Sequence, residues 1–134
     1  DEDAEKLAGT VAALKAHVGR GVVIGPTVLY STDMARILGG HADLPAADRQ
    51  DAVLSYLDPE RFEMSARVAA ALEGTGAVFI PLIDAFCPEG RCPVLSDAGD
   101  PIIFDRAHFT LSGSRTMARI LAETGQLSRI LEGS

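Results

Sequence analysis

A chain of 134 residues, 47% of them hydrophobic, holds one modest core, and its length argues against a second complete domain. A net charge of −7 with no basic run speaks against nucleic acid as a partner, and no stretch of about 18 apolar residues is present to span a bilayer. The acidic opening Asp1-Glu2-Asp3 is not the basic start of a signal peptide, so an export signal would lie outside these residues.

Leu7, Val11, Leu14 and Val18 recur at helical spacing and predict a first helix with one apolar stripe, ended by Gly19 and Gly21. His17 falls on that helix as a surface residue. Val22-Val23-Ile24 is a β-branched run without polar alternation, which reads as a strand buried on both faces of a parallel sheet. Residues 27–57 are less regular: a short helix over Asp33 to Leu38 is stopped by Gly39-Gly40, and Pro45 to Leu57 reads as a second weak helix.

Asp58-Pro59-Glu60 opens a stronger helix, with a capping carboxylate, a first-turn proline and an acid near the positive end of the dipole. Met64, Val68 and Leu72 share one face until Gly74 and Gly76. Ala77-Val78-Phe79-Ile80 then reads as a second buried strand ended by Pro81. Two such strands joined by helical sequence predict a βαβ crossover, which brings the loops after both strands to the sheet edge where α/β folds bind ligands. Thr27, Tyr30 and Ser31 follow the first strand and are candidates to line a substrate groove, with ordinary loop residues as the alternative. Asp84 after the second strand carries the same two readings.

Cys87-Pro-Glu-Gly-Arg-Cys92 is too few ligands for structural zinc. A local disulfide fits better and implies an oxidising compartment such as the periplasm; two reduced thiols in a loop are the alternative. Val94-Leu95-Ser96 and Ile102-Ile103-Phe104 flank the turn-rich Asp97-Ala98-Gly99-Asp100 and predict a small hairpin. A last helix runs from near Thr110 through Met117, Ile120 and Leu121 to Gly125. Two parallel strands and a hairpin are too few for an independent doubly wound sheet, so N-terminal strands are expected from outside the chain, and the chain alone should expose an apolar sheet edge.

The sharpest chemical feature is Asp105-Arg106-Ala107-His108, just before the last helix. A carboxylate three residues before a histidine can accept from one ring nitrogen, fix the tautomer and leave the other nitrogen as a general base. Spacing alone leaves open that Asp105 caps a turn while His108 sits half buried. A metal site from His41, Asp43 and Asp48 is disfavoured, since flexible loop ligands offer no fixed coordination set. No metal and no cofactor are expected.

Residues 105–113, Asp-x-x-His followed by Leu, Ser and a helix-opening Gly, resemble the last block of the SGNH hydrolase superfamily. With the Cys87/Cys92 pair and the hairpin, the order of elements over residues 7–124 resembles the SGNH domain fused behind membrane acyltransferases that O-acetylate bacterial surface polysaccharides. The resemblance implies an α/β domain, three-layer α/β/α and flavodoxin-like, of which residues 1–134 are the C-terminal portion. It further implies His108 as base, Asp105 as its orienter, an acyl donor and a carbohydrate acceptor as partners, an upstream SGNH segment, and a periplasmic location tethered to the inner membrane through a domain not in this chain.

The chain departs from the family pattern in having no Gly-Asp-Ser nucleophile block and no Asn at all. Ser31, Ser96, Ser112 and Ser114 lack the strand-to-helix setting a nucleophile needs, so the chain alone is expected to be inactive. The expected function is acyl transfer, O-acetylation or deacetylation, on a polysaccharide hydroxyl through an acyl-serine. The alternative is an inactive SGNH-like module that binds carbohydrate or protein, distinguished by the sequence upstream. A receiver-like or nucleotide-binding domain finds no glycine-rich phosphate turn or acidic cluster to support it.

Overall fold

The computed structural model describes residues 2–131. In chain order the elements are α1 (Glu2–Leu14), β1 (Val22–Ile24), α2 (Met34–Gly40), α3 (Ala46–Leu54), α4 (Glu60–Ala71), β2 (Val78–Ile80), α5 (Leu82–Phe86), a 3-10 turn (Pro88–Gly90), α6 (Leu111–Glu123) and α7 (Gln126–Leu131). β1 and β2 pair in parallel, with Val22 opposite Val78 and Ile24 opposite Ile80, as the βαβ reading requires.

Local chemistry accounts for the firmest boundaries. The Asp58 carboxylate accepts from the Glu60 amide at 3.0 Å and opens α4. Thr110 caps α6, its hydroxyl accepting from the Gly113 amide at 2.9 Å, one of the donors a helix start leaves orphaned. α1 stops at Leu14, short of Gly19, and His17 lies in the turn that follows rather than on the helix.

The core does not surround the strands. Val28, Tyr30, Met34, Ile37, Val53, Ile83, Phe86 and Met117 join Ile102, Ile103 and both cysteines in one cluster built from α2, α3, α5, α6 and the loops after the strands. The expectation that Val22-Val23-Ile24 is buried on both faces is therefore not met: Val22 is 40% and Ile24 61% exposed. The physical reason is that, among the described residues, β1 has a partner on one side only, so its outer edge and apolar side chains stay open. Leu14 and Val18, the end of the first apolar stripe, flank the same opening, a cavity of about 380 Å³ beside β1.

Two further expectations change. The hairpin after the cysteines forms no regular strands: Ile102 N–H donates to Val94 O at 3.0 Å and Ser96 N–H to Asp100 O at 2.8 Å around a single Leu95–Pro101 bridge. Pro93 and Pro101 remove the donors that longer strands need. The five-residue α5 went unforeseen because it is too short to show a period.

Candidate functional site

Ile103 and Phe109 bridge antiparallel, and Phe104 N–H donates to His108 O at 3.0 Å, so residues 104–108 form a tight loop on the end of a two-strand stem. Phe109 anchors the stem by an edge-to-face contact with the buried Phe86, ring centroids 5.7 Å apart. The loop is fixed from a second direction by the segment after β1. Tyr30 N–H donates to Arg106 O at 2.8 Å, Met34 N–H to Asp105 O at 2.9 Å, and Arg106 Nε returns a bond to Tyr30 O at 2.9 Å.

Asp105 performs both tasks that its sequence position left open. Its Oδ1 accepts from the amides of Ala107 at 2.9 Å and His108 at 2.8 Å, which caps the turn. Its Oδ2 lies 2.7 Å from His108 Nδ1. The Ala107 amide, then the His108 amide and ring, hold the Asp105 carboxyl well below the usual carboxylate range. An ionised carboxylate only accepts, so Nδ1 carries a proton and Nε2 is the nitrogen left to act as a base. The His108 side chain is 76% exposed rather than half buried, and among the described residues it meets no hydroxyl. The Phe104 ring, itself exposed, stacks beside the imidazole with centroids 6.0 Å apart.

Glycine at position 113 sets how closely α6 can approach this loop. A Cβ there would lie 2.8 Å from the Ile102 carbonyl carbon and 3.0 Å from its Cα, on top of the carbonyl oxygen that accepts from Thr110 N–H. The Thr110 hydroxyl donates to Pro101 O at 2.7 Å, closing the junction between hairpin, loop and helix.

The other sequence candidates fall in different places. Tyr30 is a correction: its side chain is fully buried and is not offered to a ligand, because it joins the core cluster that also holds Met34 and Ile37 of α2 and Ile102 and Ile103. Burial pushes its phenol up to about 12, and its hydroxyl, like that of Thr27, has no partner among the described residues. Ser31 is exposed beside Arg106. Asp84 accepts from the buried Ser65 hydroxyl at 2.6 Å and so joins α5 to α4. Ser112 donates to Asp100 at 2.7 Å. His41 approaches the Tyr56 hydroxyl at 3.4 Å, and no group of three potential metal ligands occurs among the described residues.

Cys87 and Cys92 form a disulfide, both buried in the core. Sequence reading missed Arg106 as a clamp; its partner lies 76 positions away, and nothing local announces it. Among the described residues no helix is long and apolar enough to cross a membrane.

Against known families, residues 1–123 match the model of the SGNH domain found fused to AT3 domains. No curated protein matches the chain. Among solved structures, the periplasmic domain of the lipopolysaccharide acetyltransferase of Salmonella ser. Paratyphi A is similar, with a TM-score of 0.67 and 21% identity over 88% of this chain. The match covers 47% of the chain of that periplasmic domain, and at this identity the likeness establishes the fold.

Proposed function

The chain belongs to the family of SGNH domains fused to AT3 domains, and from that premise we propose that it supplies the histidine and its orienting acid to an acyl-transfer site acting on a cell-surface polysaccharide. The observation that carries the reading is the 2.7 Å contact between Asp105 and His108 Nδ1, made on a loop pinned from two sides, with the ring exposed and Nε2 without a partner among the described residues. In this reading residues 1–134 are the C-terminal part of one SGNH-like domain. The serine comes from a Gly-Asp-Ser block outside them, and further strands of that domain lie along the open edge of β1.

His108 Nε2 takes the hydroxyl proton as serine Oγ attacks the carbonyl carbon of the acyl donor, and returns it to the departing group as the carbonyl re-forms. A polysaccharide hydroxyl then attacks the acyl-serine, giving its proton to the same nitrogen; as the acyl–Oγ bond breaks, Nε2 returns that proton to serine Oγ, and the ester passes to the sugar. Asp105 holds the ring in the Nδ1–H tautomer and stabilises the imidazolium between these transfers. Acetyl is the group the reading favours, with transfer to sugar rather than water set by which nucleophile reaches the intermediate. The reading puts the domain in the periplasm, joined to a membrane acyltransferase domain; a buried disulfide suits that oxidising compartment.

A fluorophosphonate, which phosphonylates an activated serine with loss of fluoride, tests this on the native protein. Labelling at one serine outside residues 1–134, slowed at least about 100-fold by His108→Ala, supports the reading. A second reading, an inactive carbohydrate- or protein-binding module, is favoured by the lack of any hydroxyl partner for His108 among the described residues. Complete resistance to the probe would give that reading the lead.

A further inference from the structure

Beside the Asp105–His108 loop lies an open groove of about 300 Å³ whose walls come from three stretches far apart in sequence: Leu29 to Ser31 after β1, Ser55 to Pro59 before α4, and Arg106. Backbone hydrogen bonds stitch the three together. Ser31 N–H donates to Tyr56 O, Asp58 N–H to Leu29 O, and Tyr30 N–H to Arg106 O, each at 2.8 Å. The groove is thus formed before any ligand arrives, and binding would not have to order its walls.

Its lining is chemically specific. Arg106 spends Nε on Tyr30 O, and its two terminal nitrogens have no partner among the described residues. Asp58 uses Oδ1 on the Glu60 amide. Although both face one groove, the guanidinium and the carboxylate form no ion pair with each other or with any other described residue. Ser55 donates to Ala52 O at 2.6 Å, which leaves its oxygen an acceptor toward the groove, and Tyr56 adds an aromatic body.

We propose that this groove is a sugar subsite that seats one neutral pyranose ring of the acceptor polysaccharide. Vicinal hydroxyls each donate and accept, which matches an arginine and an aspartate that line one groove without pairing with each other, and the C–H face of a pyranose suits an aromatic side chain. The opposite charges of Arg106 and Asp58 cancel, so the lining favours a neutral ring over an anionic one. Arg106 belongs both to this groove and to the loop that carries His108, so a ring seated here is tied to the same backbone as the base. Calling the ring an acceptor rests on the acyl-transfer reading; its binding does not.

The test is a ¹H–¹⁵N NMR titration of the protein with the methyl glycopyranosides of glucose, galactose, mannose and rhamnose. The expected result is a dissociation constant of about 1–10 mM for at least one of them, with shifts confined to the amides of Ser31, Tyr56, Asp58 and Arg106. Asp58→Asn, which keeps an oxygen for the Glu60 amide, and Tyr56→Leu should each weaken that glycoside at least about 5-fold. No shift at these amides up to about 100 mM of every probe, or shifts that both variants leave unchanged, overturns the subsite.

Acetyl transfer by the native protein with His108→Ala separates the two readings. Loss of transfer with a silent groove overturns the subsite alone. Binding in the groove with transfer intact supports the subsite and overturns the role of His108.

Discussion

Gly113→Ala puts the junction of hairpin, loop and α6 to a quantitative test. In a helix with open space around it, glycine to alanine is stabilising by about 1 kcal/mol. At Gly113 the new methyl would sit 2.8 Å from the Ile102 carbonyl carbon, so α6 must withdraw by about 1 Å to restore ordinary carbon–carbon contact. That shift pulls on the Thr110 cap, worth about 1 kcal/mol, and adds overpacking strain of about 1–3 kcal/mol. The clash wins, and the net expectation is a loss of about 2 kcal/mol, which for a chain of this size lowers the melting midpoint by roughly 5–10 °C in a circular-dichroism melt. Gly9→Ala in α1, where nothing lies within 4 Å, is the control and should raise stability by about 0.5–1 kcal/mol. The same Gly113 variant should displace the His108 ring signals in NMR. A midpoint at or above wild type with unmoved His108 signals would refute the account of how α6 sets the loop.

Tyr30→Phe removes a buried hydroxyl without a partner and should leave the protein as stable or up to about 1 kcal/mol more so in urea titration. Because burial raises the Tyr30 phenol from 10.0 to about 12, its contribution is present below pH 10 and is lost as pH rises toward 12; the variant should remove that part of the alkaline decline. Asp105 is shifted the other way, so its contribution is complete above the unfolded value of 3.8 and is lost as pH falls further. Asp105→Asn should accordingly flatten the acid limb of stability below about pH 4, measured by chemical denaturation across pH. Replacing Cys87 and Cys92 together by alanine should cost about 2 kcal/mol on the chain-entropy account of a short closed loop, and an unchanged urea midpoint would contradict it.

What the sequence made legible was what rests on neighbours along the chain or on the composition and order of its runs. The Asp58 cap, the Thr110 start of α6 and the parallel pairing of two β-branched runs follow from local chemistry and spacing. The Asp105–His108 contact was legible for the same reason, since both residues sit in one turn. The exposure of Val22 and Ile24 was not, because burial of a strand depends on what lies beside it and not on its own composition. Tyr30 looked like a rim residue by its place after β1, yet the backbone turns its ring into the core. Arg106 and Tyr56 carried no local signal, and Asp58 none beyond its helix cap, since what unites the three is a set of hydrogen bonds across distant segments.

The most direct measurement of the central claim is acetyl transfer to the surface polysaccharide by the native protein carrying His108→Ala, with its expression and melting midpoint matched to wild type. If His108 is the base that Asp105 orients, transfer falls at least about 1,000-fold. Transfer within about 3-fold of wild type would mean that the pair shapes the loop and takes no part in the chemistry.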